Sequence, residues 1–310
     1  MEYREIGKTG MKVSNISFGA SSLGGVFHSI KEEEGIRAVH TAVENGINFI
    51  DVSPYYGHLK AEIVLGKALK NIDRNKYYLS TKVGRYGKDN INTWDYSAKR
   101  AQESVYESME RLNVDYIDLI NIHDIEFADL EQICKETLPA LVELREKGIV
   151  KNVGITNLTL KHLKYVIDHV PAGTVDSVLS FCHYCLCDDA LADYLDYFEE
   201  RSVGVINASP FSMGLLTERG APDWHPAPQP LKDLCRKAML HCKSKGETIE
   251  QLAVKYSVSN PRIATTLFST SRPEAVLQNI KWADGLLNEE LLAEVRLILE
   301  SRFRDTWLNS

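Results

Sequence analysis

The 310-residue chain has no basic block, no long apolar run and no low-complexity segment. Its formal charge is −7 and its pI near 5.8, so nothing in it invites nucleic acid or an anionic lipid surface, and the acidic surplus serves solubility. No apolar stretch approaches membrane-spanning length, and the start, MEYREIGKTG, has no apolar signal core. Cysteine is sparse, six in all, and a core of this size needs no disulfide or metal to hold it. These absences lead to the expectation of a cytoplasmic, thiol-reduced protein, without a membrane or nucleic-acid partner. A dinucleotide-binding sheet would show G-x-G-x-x-G after its first strand, and FGASSLGG does not match it. No Pro/Gly/Ser linker divides the chain, so one domain over 1–310 is expected.

What the chain does have is an alternation. Eight short β-like runs, at 15–20, 47–53, 77–84, 116–124, 150–157, 177–183, 203–210 and 263–270, are each followed by a helix-like segment. Several runs are almost unbroken in apolar residues, as in a parallel sheet covered on both sides. Two helices stand out, 97–113 with Ser97 as N-cap and 130–148 ending at Gly148. Pro139 argues for a kink or a late start in the second. Eight β–α units predict a (β/α)₈ TIM barrel of roughly 250 residues plus extras. The extras are a short N-terminal β-hairpin (3–13), a long loop near 217–230 and a C-terminal helix (289–304).

In such a barrel the strand C-termini face the active site. Read in order, those tips carry Ser21, Asp51 with Tyr56, Lys82, His123, Asn157, Ser180 with His183, and Ser209. Asp51, Tyr56, Lys82 and His123 come from three successive strands and form a chemical set. A lysine ammonium favours the phenolate of a neighbouring tyrosine and lowers its pKa from about 10, an aspartate holds the lysine charged, and a histidine offers a neutral donor or acceptor. Such a tyrosine gives a proton to a carbonyl oxygen or takes one from an alcohol. Tyr55 is expected to pack or to line the pocket. Lys82 alone also admits an ion pair or a Schiff base.

DVSPYYG, STKVG and NIHD, with GITN further on, resemble the aldo-keto reductase pattern. The resemblance implies an active-site tetrad of Asp51, Tyr56, Lys82 and His123, and a nicotinamide cofactor bound without a dinucleotide-binding domain. It implies that Gly19, Ala20 and Ser21 lie near the nicotinamide. Asp51 also falls among the implied cofactor contacts, and Thr156 and Asn157 would hold the carboxamide. Ser180 stands where many members have glutamine, and Ala208 where many have a stacking tyrosine. Ser209, Phe211 and Met213 would lie along the pyrophosphate; Ser269, Arg272 and Asn279 lie at the adenosine end. Arg272 alone, with Ala275 and Ser269 where basic residues often occur, is a thin clamp for a 2′-phosphate; the resemblance implies NAD slightly ahead of NADP, and Arg272 keeps NADP open.

FGASSLGGVF, LSFCHY, ASPFSMGLLTE and WHPA resemble a sugar-oxidising subgroup of that family. That implies a small-molecule aldose oxidised at C1 to a lactone, with L-galactose or L-fucose leading. Tyr56, His123, His28, His183 and Trp224 are the expected substrate contacts, Trp224 as a lid or as an anchor of its own loop. Asp124 and Glu126 are expected to be loop or helix-start residues, either one able to touch a sugar hydroxyl. The alternatives are an NADPH-dependent aldehyde or ketone reductase and a cofactor-sensing regulatory subunit. A monomer or weak homo-oligomer is expected. The run CHYCLC (182–187) invites a zinc reading, but strand alternation sends neighbours to opposite faces, so no metal is expected.

Overall fold

The computed structural model describes residues 1–26, 29–87 and 93–305. A hairpin of β1 (Tyr3–Glu5) and β2 (Lys12–Ser14) opens the chain, with Tyr3 opposite Ser14. Eight strands then close into a parallel barrel: β3 (Ile16–Gly19), β4 (Phe49–Asp51), β5 (Tyr78–Val83), β6 (Ile117–Ile122), β7 (Val150–Asn157), β8 (Ser177–Phe181), β9 (Gly204–Ala208) and β10 (Thr265–Ser269). β10 pairs with both β9 and β3, which completes the ring. Each strand falls within one of the eight runs read from the sequence, and the observed fold is the expected barrel with its short antiparallel hairpin.

The helices in chain order are α1 (Glu32–Glu44), α2 (Lys60–Leu69), α3 (Ala98–Leu112), α4 (Leu130–Gln132), α5 (Leu138–Glu146), α6 (Leu160–Asp168), α7 (Leu195–Glu200), α8 (Gln229–Ser244), α9 (Ile249–Ser259), α10 (Pro273–Ala283) and α11 (Glu289–Leu299). Ser97 caps α3 by accepting from the Arg100 N–H. The predicted helix at 130–148 is interrupted: a π turn at Ile133–Thr137 separates α4 from α5. Pro139 lies in the first turn of α5, directly after the π turn, where the widened helix accommodates a residue without an N–H. The C-terminal helix stops at Leu299, short of residue 304, and passes into a 3₁₀ turn at Glu300–Arg302. The long loop after β9 runs to Pro228, where α8 begins; α8 packs against α11 outside the ring.

Two kinds of core result. Outside the strands, aliphatic side chains such as Ile120, Ile122, Val153 and Leu163 fill the strand–helix layer. Inside the ring, Phe49, Leu119, Leu179, Ile206 and Leu267 meet Ile6, Met11 and Val13 of the hairpin, which plugs the N-terminal end. With that end closed by apolar packing, polar chemistry is confined to the opposite mouth. Among the described residues no helix is long and apolar enough to cross a membrane.

Candidate active site

Strand alternation decides which side chains reach the mouth. On β4, Phe49 belongs to the interior cluster, so Asp51, two residues on, also points inward. On β5, Ser80 and Lys82 share a face; on β6, Leu119 and Asn121 do, with His123 next in the same phase. Asp51, Lys82 and His123 are 3%, 1% and 4% exposed. The Lys82 ammonium donates to Asp51 Oδ2 at 2.5 Å and to the Val52 carbonyl at 2.8 Å. Ser80 donates to Asp51 Oδ1 at 2.9 Å, and Asn121 Nδ2 donates to Ser80 Oγ at 2.9 Å.

Asn121 needs room that Gly154 supplies: a Cβ there would stand 2.2 Å from Asn121 Oδ1 and 2.7 Å from Ser177 Oγ. Gly154→Ala is therefore expected to lower stability by about 1–3 kcal/mol through overpacking, read by urea denaturation.

Tyr56 follows β4 in a turn pressed against the 3₁₀ segment after β3. Gly57, at φ 61°, touches Gly24 so closely that a Cβ would lie 2.1 Å from the Gly24 carbonyl oxygen. This contact seats Tyr56 beside the other three. The Lys82 nitrogen is 4.9 Å from the Tyr56 ring centroid, and the Tyr56 and His123 rings meet edge-on at 5.6 Å.

Burial works against the Lys82 charge, but Asp51 and the Tyr56 hydroxyl outweigh it and hold Lys82 above the usual ammonium value. Burial also pushes the Asp51 carboxyl up, opposed by Lys82 and Ser80. With an ammonium at 2.5 Å and a hydroxyl donating, we read the pair as ionised. For Tyr56 the sequence expectation was a lowered value. Lys82 does pull in that direction, but burial is the larger influence and the Asp51 and Asp124 carboxylates add to it, so the phenol ends above its ordinary range. Loss of hydration around the buried ring is the main reason, and the Asp51 carboxylate offsets part of the pull of Lys82.

His123 is held well below its usual range by burial and by the Lys82 and Arg85 charges, so it is neutral. Ser53 Oγ lies 3.0 Å from Nδ1, and Asp124 Oδ2 lies 3.5 Å from Nε2. A carboxylate on that side assigns the proton to Nε2. Tyr96 donates to the carbonyls of His123 and Asp124 and fixes this stretch of backbone. Tyr55 packs edge-on against Tyr56 and His123.

Gly19 ends β3, Ala20 is buried in the turn after it, and Ser21 Oγ donates to Ser269 Oγ at 2.9 Å. Ser269 also receives the Ser22 N–H, so its hydroxyl ties the β3 and β10 loops together. The Thr156 hydroxyl is shared with Asp124, and the Asn157 amide accepts from the Glu126 N–H and donates to the Thr159 carbonyl. Both residues thus brace the turn after β6. Ser180, register partner of Asn157, shares a strand face with Val178 of the outer layer, and its buried Oγ has no partner among the described residues.

Ser209 and Met213 have φ of 61° and 52°, with Phe211 between them; Ser212, at 47°, is also left-handed. Such conformations cost of order 1–3 kcal/mol each and concentrate where a loop clamps a ligand. Asn279 is buried on α10 with Oδ1 unpartnered among the described residues, and Arg272 is 61% exposed in side chain, 3.8 Å from Glu274. An orphaned amide oxygen and a strained loop at the expected adenosine and pyrophosphate positions fit a dinucleotide.

His183 is committed through Nδ1 to Asp188 Oδ2 at 3.0 Å, and Trp224 is 55% exposed and stacked on His225. Among the described residues no hydrogen bond, ion pair or ring contact joins either to the four-residue group. His28 lies outside the described residues, as does Trp307. All six cysteines are free, and among the described residues no group of three or more His, Cys, Asp or Glu is placed to hold a metal ion.

Sequence reading passed over Ser53, Ser80, Asn121 and Arg85. Ser80 and Asn121 were findable, because each precedes a tetrad residue by two on its strand. Arg85 carried no such signal, since it lies beyond the end of β5.

The model of the aldo/keto reductase family matches residues 15–300. The chain is 46% identical to the L-galactose dehydrogenase of Arabidopsis thaliana over 99% of its own length and 97% of that protein's. It is 33% identical to the D-arabinose 1-dehydrogenase of Saccharomyces cerevisiae over 70% of this chain and 67% of that one. An aldo-keto reductase of Bacillus halodurans, solved in its holo form, superposes with a TM-score of 0.80 at 25% identity, covering 96% of both chains.

Proposed function

The chain belongs to the aldo/keto reductase family of oxidoreductases, and we propose that its reaction is the oxidation of an aldose at C1 to the lactone, with L-galactose or a close relative as substrate. Tyr56, Lys82, Asp51 and His123 are the proposed catalytic residues. The observation that carries this reading is the Lys82 ammonium placed between Asp51 Oδ2 and the Tyr56 ring, with His123 edge-on to the same ring. The names of the two dehydrogenase relatives support the sugar as substrate class.

Tyr56 takes the proton of the C1 hydroxyl, and Lys82 stabilises the phenolate that must exist for this to happen. His123 holds the same oxygen through its Nε2–H. A bound nicotinamide dinucleotide supplies the hydride acceptor. Gly19, Ala20, Ser21, Thr156 and Asn157 on the barrel rim, with the loop of Ser209, Phe211 and Met213, and with Asn279, are the proposed residues that hold it.

A grid of aldoses against NAD and NADP tests this. We expect turnover of L-galactose or L-fucose, and higher kcat/KM with NAD. Absence of aldose turnover, with reduction of simple aldehydes by NADPH, would replace the reading by a general reductase.

The NAD preference rests on Arg272, which is exposed and lies beside Glu274. A 2′-phosphate there meets one guanidinium only, partly offset by a carboxylate. Arg272→Ala is expected to change kcat/KM for NAD by less than about twofold and to lower that for NADP by roughly tenfold, the scale of one charge-assisted contact. Steady-state kinetics with each cofactor reads both numbers.

A further inference from the structure

A second charged pair stands at the same mouth of the barrel. Arg85, two residues past the end of β5, is ion-paired with Asp124, the residue after His123. Their side chains are only 11% and 10% exposed. A pair so desolvated is weak evidence for stability, since the loss of hydration offsets much of the attraction.

Aromatic rings and a hydroxyl frame the pair. The Arg85 guanidinium carbon lies 3.9 Å from the Tyr55 ring centroid, 4.3 Å from Trp94 and 5.0 Å from Phe127. The Thr156 hydroxyl accepts the Asp124 N–H at 2.9 Å and donates to Oδ1 at 3.1 Å. Asp124 has φ 46°, a left-handed conformation that few residues other than Gly, Asn and Asp adopt. Its Oδ2 is thereby brought to 3.5 Å from His123 Nε2. Two donors in this frame, Arg85 Nε and Trp94 Nε1, are buried without an acceptor among the described residues. Buried donors are almost always satisfied, and these two stand beside a reactive centre, where the oxygen of a ligand or its water can meet them.

The geometry points to Arg85, Asp124 and Trp94 as the specificity-determining clamp for the hydroxyl groups of a polyhydroxylated substrate. Asp124 accepts from the hydroxyl on C2, vicinal to the reacting C1 oxygen at His123. Arg85 Nε and Trp94 Nε1 donate to substrate oxygens further along, and the surrounding aromatic rings cover the C–H face. A charged acceptor beside fixed planar donors selects hydroxylated chains and rejects deoxygenated ones, because the unpaired protein groups then remain desolvated.

This rests on the aldose reading, so the test separates the two. An aldose turned over by the wild-type enzyme with NAD is compared with its 2-deoxy analogue, in wild type and in Asp124→Asn. The intrinsic effect of the missing hydroxyl on reactivity is common to both enzymes and cancels in the comparison. The wild type is expected to prefer the parent sugar by at least about 30-fold in kcat/KM, on the scale of one hydrogen bond to a charged group. Asp124→Asn is expected to shrink that preference to roughly threefold.

Trp94→Phe keeps a ring and removes one N–H, and is expected to raise KM for the parent sugar about fivefold, more than it lowers kcat. Melting curves report folding, and Asp124→Gly, which removes the carboxylate and suits the left-handed backbone at φ 46°, provides the same selectivity comparison should Asp124→Asn not fold. A wild type that oxidises no aldose removes the functional reading and the clamp with it. A wild type that oxidises the aldose while the variants keep its full preference for the 2-hydroxyl overturns the clamp alone.

Discussion

Tyr56→Phe is expected to reduce kcat for aldose oxidation by on the order of 10²–10⁴-fold, the range for loss of a positioned proton-transfer group. The change deletes one oxygen and leaves the ring, so its edge-on contact with His123 and its packing by the Gly24–Gly57 contact persist. Cofactor affinity, measured by fluorescence titration, is expected to stay within about threefold of wild type. Turnover near the wild-type rate would remove Tyr56 from the mechanism.

The same residue sets a pH signature. Burial holds the Tyr56 phenol above its ordinary value, so at neutral pH it is almost wholly protonated. Oxidation uses the deprotonated form, and its kcat/KM is expected to climb with pH through the alkaline range. Reduction uses the protonated form and is expected to fall only at still higher pH. A pH–rate profile in each direction checks the sign. The residual activity of Tyr56→Phe should lack the alkaline limb.

Lys82→Met is expected to have the largest effect on stability, together with loss of turnover. It leaves Asp51 buried with its ammonium gone, and breaking a buried pair from one side costs about 3–5 kcal/mol. The Ser80 hydrogen bond at 2.9 Å remains but carries no charge. The double variant Asp51→Asn/Lys82→Met removes the uncompensated carboxylate and is expected to regain most of that stability while remaining inactive. Urea denaturation of the single and double variants decides this. Equal stability of Lys82→Met and wild type would show that the pair is not ionised in the folded protein.

The barrel was legible because its signals are local. Runs such as INFIDVS and YYLSTKVG combine apolar bulk with strand length, and a carboxylate or lysine near the tip marks the mouth. Helix ends follow side chains within a few residues, as at Ser97 and Asn288. The π turn before Pro139 was half-visible: proline announces a disturbed helix but does not say whether the chain kinks, starts late or widens. The ends of loop-bound segments were the least legible, as the early stop at Leu299 shows.

For the candidate site, one strand at a time was enough to name Asp51, Lys82 and His123, because each stands at the C-terminal tip of a strand-like run and those tips face one mouth of a barrel. The direction in which Tyr56 titrates was beyond that kind of reading. It depends on desolvation summed over everything packed around the ring, and on Asp51 opposing part of the pull of Lys82 at close range. Likewise nothing near Arg85 in the chain reveals Asp124, 39 residues away, or the aromatic rings around it.

Periodicity, chain length and residue type were sufficient for the architecture and for the chemical inventory at the barrel mouth, since these follow from backbone geometry and from groups close in sequence. Burial, net local charge and the company each polar atom keeps emerged only on folding, because they are properties of distances between segments far apart along the chain.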